Sequence, residues 1–341
     1  MEIPQSSYDI QALIDKHHEQ KVEPPRPHLG CSVLGHPCDR WLWLSFRWAV
    51  VEKFPGRILR LFRRGQLEEE TLVQDLRAIG VDIWNAGKDQ ARVDFGYHIA
   101  GSVDGVAESG VPGGHGKRHV LEFKTQSLKS FNDLTKEGVE KSNPMHFAQV
   151  QLYMHGLKIE RALYVAICKD DDRIYTERIL YDTKVAQALI ERGKRITMSN
   201  RIPEPVSTDP GWYVCKMCPA REFCHKTKLT DEVNCRTCAH STAKLDSTWR
   251  CEYHGADGIP VEWQRKGCDG HVLHPDLVPW QRRGGLDQWT AVYLIDGKPV
   301  SNGAPDATIF SSREILENPV ACASPDEFMN DVLAMEGRIL K

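Results

Sequence analysis

The cysteines constrain this chain most. There are eleven in 341 residues, and most are clustered. Cys215, Cys218 and Cys224 form C-x2-C-x5-C. Cys235 and Cys238 form C-x2-C and are followed by Cys251 and Cys268. Cys31 and Cys38 lie near the start, and Cys168 and Cys322 stand alone. The first twenty residues are polar, without the apolar core of a signal peptide, and no apolar run approaches the roughly 18 residues of a membrane span. The expectation is a cytoplasmic chain with no membrane partner. In a reducing compartment, clustered cysteines read as metal ligands before disulfides. A tetrahedral metal or a [4Fe–4S] cluster needs four thiolates, so the first group is one short.

The rest of the chain is globular in composition, with 41% hydrophobic and 27% charged residues. A net charge of −3 excludes a protein coated in positive charge but leaves room for a local basic groove. Residues 22–37 are rich in Pro and Gly and read as an arm or loop. Helical spacing marks 38–51, 57–79, 144–157 and 183–200. Gly80 ends the second of these, and Asn143 with Pro144 starts the third. Strands are expected at 81–85, 90–95, 97–108, 118–125, 161–168 and 173–180, with a Gly/Pro loop making a hairpin of the third and fourth. After Cys224, regular patterning fades until 289–300 and 310–316.

Within that hairpin lie Asp104 and Glu122-Phe123-Lys124. Side chains alternate along a strand, so Glu122 and Lys124 share one face while Leu121 and Phe123 take the apolar one. Pairing would bring Asp104 beside Glu122. Two adjacent carboxylates repel unless a cation neutralises them. A hard ion such as Mg²⁺ or Mn²⁺ suits them, completed by a main-chain carbonyl and water, with Lys124 serving an attacking water. Taken alone, E-x-K is common and equally describes a solvated surface pair. Gly101 and Gly105 are expected to keep the surroundings of Asp104 uncrowded.

These residues resemble the PD-(D/E)XK nuclease superfamily, in its RecB-like exonuclease branch. Asp104 matches the metal-binding Asp, and Glu122-Phe123-Lys124 matches (D/E)-x-K after an apolar strand. Gln149 and Tyr153 match the helical Q-x-x-x-Y motif that faces the active site, and their spacing puts them on one helix face. Gly65 to Glu69 fits the upstream G-x-x-x-(H/E), with Glu69 in the ligand position beside Glu68 and Glu70. The resemblance implies a metal held by Glu69, Asp104, Glu122 and the Phe123 carbonyl. It also implies an iron–sulfur sub-branch, similar to CRISPR-associated adaptation nucleases and phage exonucleases, in which an upstream cysteine joins three downstream. Cys38 would then join Cys215, Cys218 and Cys224 around a [4Fe–4S] cluster; four thiolates around zinc remain the other reading.

The expected fold is an α/β restriction-endonuclease-like core, a central mixed sheet flanked by helices, with a small cysteine-rich C-terminal module. The boundaries expected are an arm over 1–30, a nuclease domain over 31–228, a zinc-like module over 229–284 and a small α/β appendage over 285–341. In the module, Cys235, Cys238, Cys251 and Cys268 would bind Zn²⁺, with His240, His254, His271 and His274 as nearby substitutes, or else remain free thiols in a loop-rich extension. Arg57, Arg60, Arg63 and Arg64 are candidate phosphate contacts. The function implied is a Mg²⁺- or Mn²⁺-dependent DNA exonuclease acting on single- or double-stranded ends, in phage or prophage recombination or in repair. With no phosphate loop in the chain, it would act alone or with a recombination or helicase partner. The alternative is an inactive nucleic-acid-binding protein with structural metal clusters.

Overall fold

The structure, a computed structural model, describes residues 9–21 and 23–323. Residues 1–8 of the expected arm and 324–341 of the expected appendage lie outside the described residues. The helices of the first part are α1 (Ile10–Glu19), α2 (Cys31–Leu34), α3 (Asp39–Phe46), α4 (Gly56–Ala78), α5 (Leu128–Ser142), α6 (Pro144–Leu157) and α7 (Thr183–Met198). The strands are β1 (Leu29–Gly30), β2 (Asp82–Trp84), β3 (Arg92–Asp94), β4 (Ile99–Ser102), β5 (Gly105–Ser109), β6 (His119–Gln126), β7 (Arg161–Cys168) and β8 (Ile174–Leu180). Among the described residues no helix is long and apolar enough to cross a membrane.

The expected central mixed sheet flanked by helices is what the chain forms. Its order is β2-β5-β6-β7-β8, with β6 and β7 parallel and the other pairs antiparallel. Parallel neighbours need a crossover, and α5 and α6 supply it. Alternation along β6 sorts its two faces. Leu121 and Phe123 join Leu72 and Val73 of α4 in one apolar cluster. Val120 joins Val150, Leu152 and Tyr153 of α6 in the larger cluster on the other side, the side that carries Glu122.

The expected single strand over 97–108 is two. β4 pairs with β1 and β3 in a separate three-stranded sheet, whereas β5 enters the main sheet. Val103 and Asp104 form the step between them, which is why Asp104 is not locked into a ladder. Gly101 does not simply keep Asp104 uncrowded. A Cβ there would sit 2.9 Å from the Tyr153 ring and 3.0 Å from Cys31, so the glycine makes room for Tyr153. Three of these helices were not anticipated: α1, α5 and the single-turn α2, which lies in the stretch read as an arm or loop. α1 packs on α4 within the supposed arm. α5 is kinked at Gly138, whose φ of 75° leaves the Val139 N–H to donate to Glu177 (2.8 Å). Asn143 precedes α6 as expected, but its side chain donates to Ser142 Oγ instead of capping the helix.

Beyond α7, two short helices, α8 (Tyr213–Lys216) and α9 (Arg221–Cys224), carry the first cysteine group. The segment beyond contains a hairpin of β9 (Ser241–Ala243) and β10 (Trp249–Cys251), helix α10 (Val261–Lys266), and a second small sheet. That sheet orders β11 (Gln281–Arg282), β12 (Ala291–Ile295), β13 (Lys298–Asn302) and β14 (Ile309–Phe310). Helices α11 (Ser312–Glu317) and α12 (Pro319–Ala323) follow.

The cysteine-rich segment shares the core of the first part of the chain. Trp249, Ala243 and Leu277 lie in the same cluster as Leu42, Trp43 and Phe46 of α3. Arg236 is the bolt. Its guanidinium lies 3.8 Å over the Trp48 ring, 4.9 Å over Trp249 and 5.2 Å over Phe46. It donates to Phe46 O (2.8 Å), Pro27 O (2.9 Å) and Gln264 Oε1 (2.9 Å). A planar guanidinium can stack and donate sideways at once; an ammonium cannot. Arg236→Ala removes three ring contacts and orphans three acceptors. It is expected to cost at least about 2 kcal/mol and lower the thermal midpoint, and Arg236→Lys should not restore it. Thermal unfolding of the three proteins checks this; a lysine variant as stable as wild type would refute the stacking account.

Candidate functional site

Three carboxylates and a lysine converge at the step between the sheets. Gly105 pairs with Leu121, so Asp104 sits one residue further along, beside Glu122. Asp104 Oδ2 accepts from the Phe123 N–H (2.9 Å), which fixes the carboxylate against the strand. Lys124 Nζ donates to Glu122 Oε1 in an ion pair. Glu69 comes from α4, one turn after Gly65, where the helix passes close to Thr125 of β6. Its carboxylate accepts from Gln90 Nε2 (2.9 Å). It is close enough for its charge to be felt at Glu122, and it feels Asp104 and Lys124 in turn.

Burial dominates the electrostatics. Glu122 is sealed from solvent, with 0% of its side chain exposed. Burial pushes its carboxyl up to about 8 from an ordinary 4.5; Lys124 works against the rise, and Asp104 and Glu69 add to it. Glu69 is pushed up to about 7, again first by burial and then by Asp104. Burial raises Asp104 as well, opposed by Lys124 and the Phe123 N–H. Burial disfavours the Lys124 ammonium, but Glu122 and Asp104 outweigh it and hold the lysine charged. One feature stays uncompensated: Glu122 Oε2 is buried with no hydrogen-bond partner. A sealed, unpartnered carboxylate oxygen among two further carboxylates is a place that a cation would satisfy. Among the described residues no three His, Cys, Asp or Glu side chains stand in a ready-made ligand set. The reason is visible: Glu122 is turned to Lys124, Asp104 to the backbone and Glu69 to Gln90.

Gln149 and Tyr153 lie on α6 and meet through Gln149 Nε2 donating to the Tyr153 hydroxyl (3.1 Å). Tyr153 is buried, and burial and then Glu122 raise its hydroxyl, which puts the ring beside the carboxylates. Gln151, two residues along, is a clip: it donates to Leu180 O (2.9 Å) and accepts from Asp182 N (2.7 Å). The four arginines in the first half of α4 divide. Arg60 pairs with Asp15 and Arg64 donates to Lys169 O (3.0 Å), whereas Arg57 and Arg63 are exposed. Arg60 is thus committed to α1, a helix not foreseen. Sequence reasoning missed Gln90, which only tertiary structure brings to Glu69. It also missed His146, which stands on α6 three residues before Gln149 and was open to the same spacing argument.

Cys38 occupies the N-cap position of α3. A Cys38 thiolate would be felt at Cys215, Cys218 and Cys224, but among the described residues no three of these thiols stand in a ligand set. Burial and then the neighbouring thiols push Cys218 up to about 11, against a hydrogen bond from Ala220 N–H. Burial raises Cys224, with Arg40 opposing. Cys31 stands apart, against Gly101 and Tyr153, with burial pushing it up to about 12. Cys235, Cys238, Cys251 and Cys268 line one cavity of about 630 Å³ with His254. The other histidines are engaged: His240 with Trp289 O, His271 with Ser312 and Thr237, and His274 with Asp276 N. His254 is the histidine that lines the cavity with the four thiols.

No family model matches this chain, and no curated protein matches it. Among solved structures it is similar to one described as the crystal structure of SSO0001, at 17% identity over 64% of this chain and 96% of that one, with a TM-score of 0.41. It is also similar to an alkaline exonuclease, LHK-Exo, from Laribacter hongkongensis, at 16% identity over 50% of this chain and 87% of that one, with a TM-score of 0.35. The same exonuclease in complex with dAMP matches at 16% identity over 50% of this chain and 86% of that one, with a TM-score of 0.36.

The raised carboxyls have a measurable consequence. Between the ordinary 4.5 and about 8, the unfolded chain ionises Glu122 while the folded one holds its proton. Metal-free protein should therefore lose stability as pH rises through that window, and less so in Glu122→Gln. Ligating carboxylates must be ionised, so the stabilisation by added Mn²⁺ should grow from pH 6 to 8, reaching about 2.7 kcal/mol at a hundredfold excess over Kd. Thermal melts with and without Mn²⁺ test both; equal Mn²⁺ stabilisation of wild type and Glu122→Gln would contradict the site.

Proposed function

We propose that this chain is a Mg²⁺- or Mn²⁺-dependent deoxyribonuclease that hydrolyses phosphodiester bonds. The observation that carries the reading is the sealed Glu122 carboxylate, one oxygen on Lys124 and the other unpartnered, with Asp104 and Glu69 beside it. A purely structural Glu–Lys pair would not bury two more carboxylates next to it. Glu69, Asp104, Glu122 and the Phe123 carbonyl would hold the divalent ion. When bound, the ion would polarise the scissile phosphodiester and offset its growing negative charge. With the Glu122 carboxylate engaged by the ion, the Lys124 ammonium would be free to orient the attacking water. Water oxygen bonds to phosphorus, the bridging P–O bond breaks, and the water proton passes to solvent or to the departing oxygen. Gln149 and Tyr153 form a wall that positions the strand, and the exposed Arg57 and Arg63 meet phosphates further along.

The motif resemblance directs the reading towards exonucleolytic action at DNA ends, in recombination or repair. We propose in the same terms that Cys38, Cys215, Cys218 and Cys224 hold a [4Fe–4S] cluster. Its role is structural, stapling α3 to the segment after α7. Cys235, Cys238, Cys251 and Cys268 would hold Zn²⁺ and order a segment that buries little apolar surface of its own.

Digestion of end-labelled linear and circular DNA with Mg²⁺ or Mn²⁺ tests the activity. Lys124→Ala should lower cleavage by roughly 10²-fold or more while leaving the fold intact. Full activity in purified Lys124→Ala would overturn the assignment, and DNA binding without cleavage by wild type would favour an inactive binding protein. Anaerobically purified protein should be brown, and Cys218→Ser should bleach it and lower its thermal midpoint. Colourless protein holding two zinc ions per chain would replace iron by zinc at the first group.

A further inference from the structure

His146 is a half-buried histidine that the reading above leaves without a role. It stands three residues before Gln149 and seven before Tyr153 on α6, so all three share a helix face. Its Nδ1 meets the Tyr164 hydroxyl at 2.9 Å. Tyr164 lies on β7 directly across from Glu122, in the register that also pairs Lys124 with Ala166. The histidine therefore closes the same cleft from the helix side.

The surrounding network decides which nitrogen carries the proton. Ser130 Oγ donates to Gln126 Oε1 (2.6 Å), which fixes the Gln126 amide. Its Nε2 then points at the Tyr164 hydroxyl (3.5 Å) and donates to it. With an N–H donor on one side, the Tyr164 O–H turns to its other neighbour, His146 Nδ1. Burial keeps Tyr164 protonated, and burial with the nearby Lys124 charge lowers His146 to about 3, so the imidazole is neutral. A neutral ring that accepts at Nδ1 carries its proton at Nε2. That nitrogen has no protein partner and is not sealed from solvent among the described residues.

We propose that His146 binds the substrate, its Nε2–H donating to a non-bridging phosphate oxygen of the nucleic acid in the cleft, with Tyr164 and Gln126 locking the tautomer. The inference rests on the nuclease reading. A neutral donor suits this place: it adds a phosphate contact without a second cation beside Lys124. A hydrogen bond to a charged oxygen is among the stronger ones, so its loss should show in binding.

The test is steady-state cleavage of an end-labelled oligonucleotide, with binding measured separately in a Lys124→Ala background. His146→Ala should raise KM and Kd by about 10-fold or more with a smaller change in kcat. Gln places an amide nitrogen near the Nε2 position and Asn does not reach it, so His146→Gln should recover most of the loss and His146→Asn should not. Tyr164→Phe should weaken binding to an intermediate degree. ¹⁵N spectra of histidine-labelled protein, assigned with His146→Gln, should place the His146 proton on Nε2. A proton on Nδ1, an unchanged KM in His146→Ala, or a glutamine variant no better than asparagine would each overturn the inference while leaving the nuclease reading intact. Losses that follow the thermal midpoint in every variant would make His146 structural and overturn it too. A wild-type protein that neither cuts nor binds DNA would overturn the nuclease reading and this inference with it.

Discussion

The burial of the Glu122 carboxylate sets the terms for everything around it. A lone ionised carboxylate in a sealed site is costly, and proteins answer with a partner cation or a retained proton. Here both answers are half made. Lys124, two residues along the same strand and on the same face, takes one oxygen, and burial holds the carboxyl partly protonated. The second oxygen has nothing. The elements nearby are arranged around that deficit. The step between β4 and β5 delivers Asp104, α4 delivers Glu69, and the crossover between β6 and β7 lays α6 over the cleft with Tyr153 and His146 facing in. Gly101 leaves the space that the Tyr153 ring needs.

Much of this was legible in the sequence, for identifiable reasons. Period-two alternation puts Glu122 and Lys124 on one face of β6 and Leu121 and Phe123 on the other, and the two apolar clusters divide that way. The bounds of α6 and β7 follow from a Pro start and an unbroken apolar run. The misses have physical causes. A twelve-residue strand pattern around Asp104 hid a step between two sheets, because extended residues look alike whichever sheet they join. The helix α5 escaped notice although Phe131, Leu134 and Val139 line its buried face, because Gly138 interrupts its pattern. Gln90 on Glu69, and Gln126 on Tyr164, are contacts between distant elements that no local pattern encodes.

The cysteine-rich segment makes a related point about autonomy. The buried contacts of this segment run into α3. Arg236 sits within a cage of Phe46, Trp48 and Trp249, and Thr230 and Asn234 bond the backbone at Ala49 and Trp48. Cys38 lies at the start of the same helix, so α3 is where the first thiol group and the second segment are coupled.

The central claim is that the Glu69, Asp104 and Glu122 carboxylates form one divalent-cation site. It is tested most directly by a crystal structure of the protein soaked with Mn²⁺, using anomalous scattering to locate the ion. The account predicts a peak about 2.1–2.3 Å from the oxygen of Glu122 that is now unpartnered, shared with Asp104, with Lys124 turned away from the ligating carboxylate. A peak elsewhere, or a site that stays empty while Glu122 and Lys124 remain paired at saturating Mn²⁺ and alkaline pH, would contradict it.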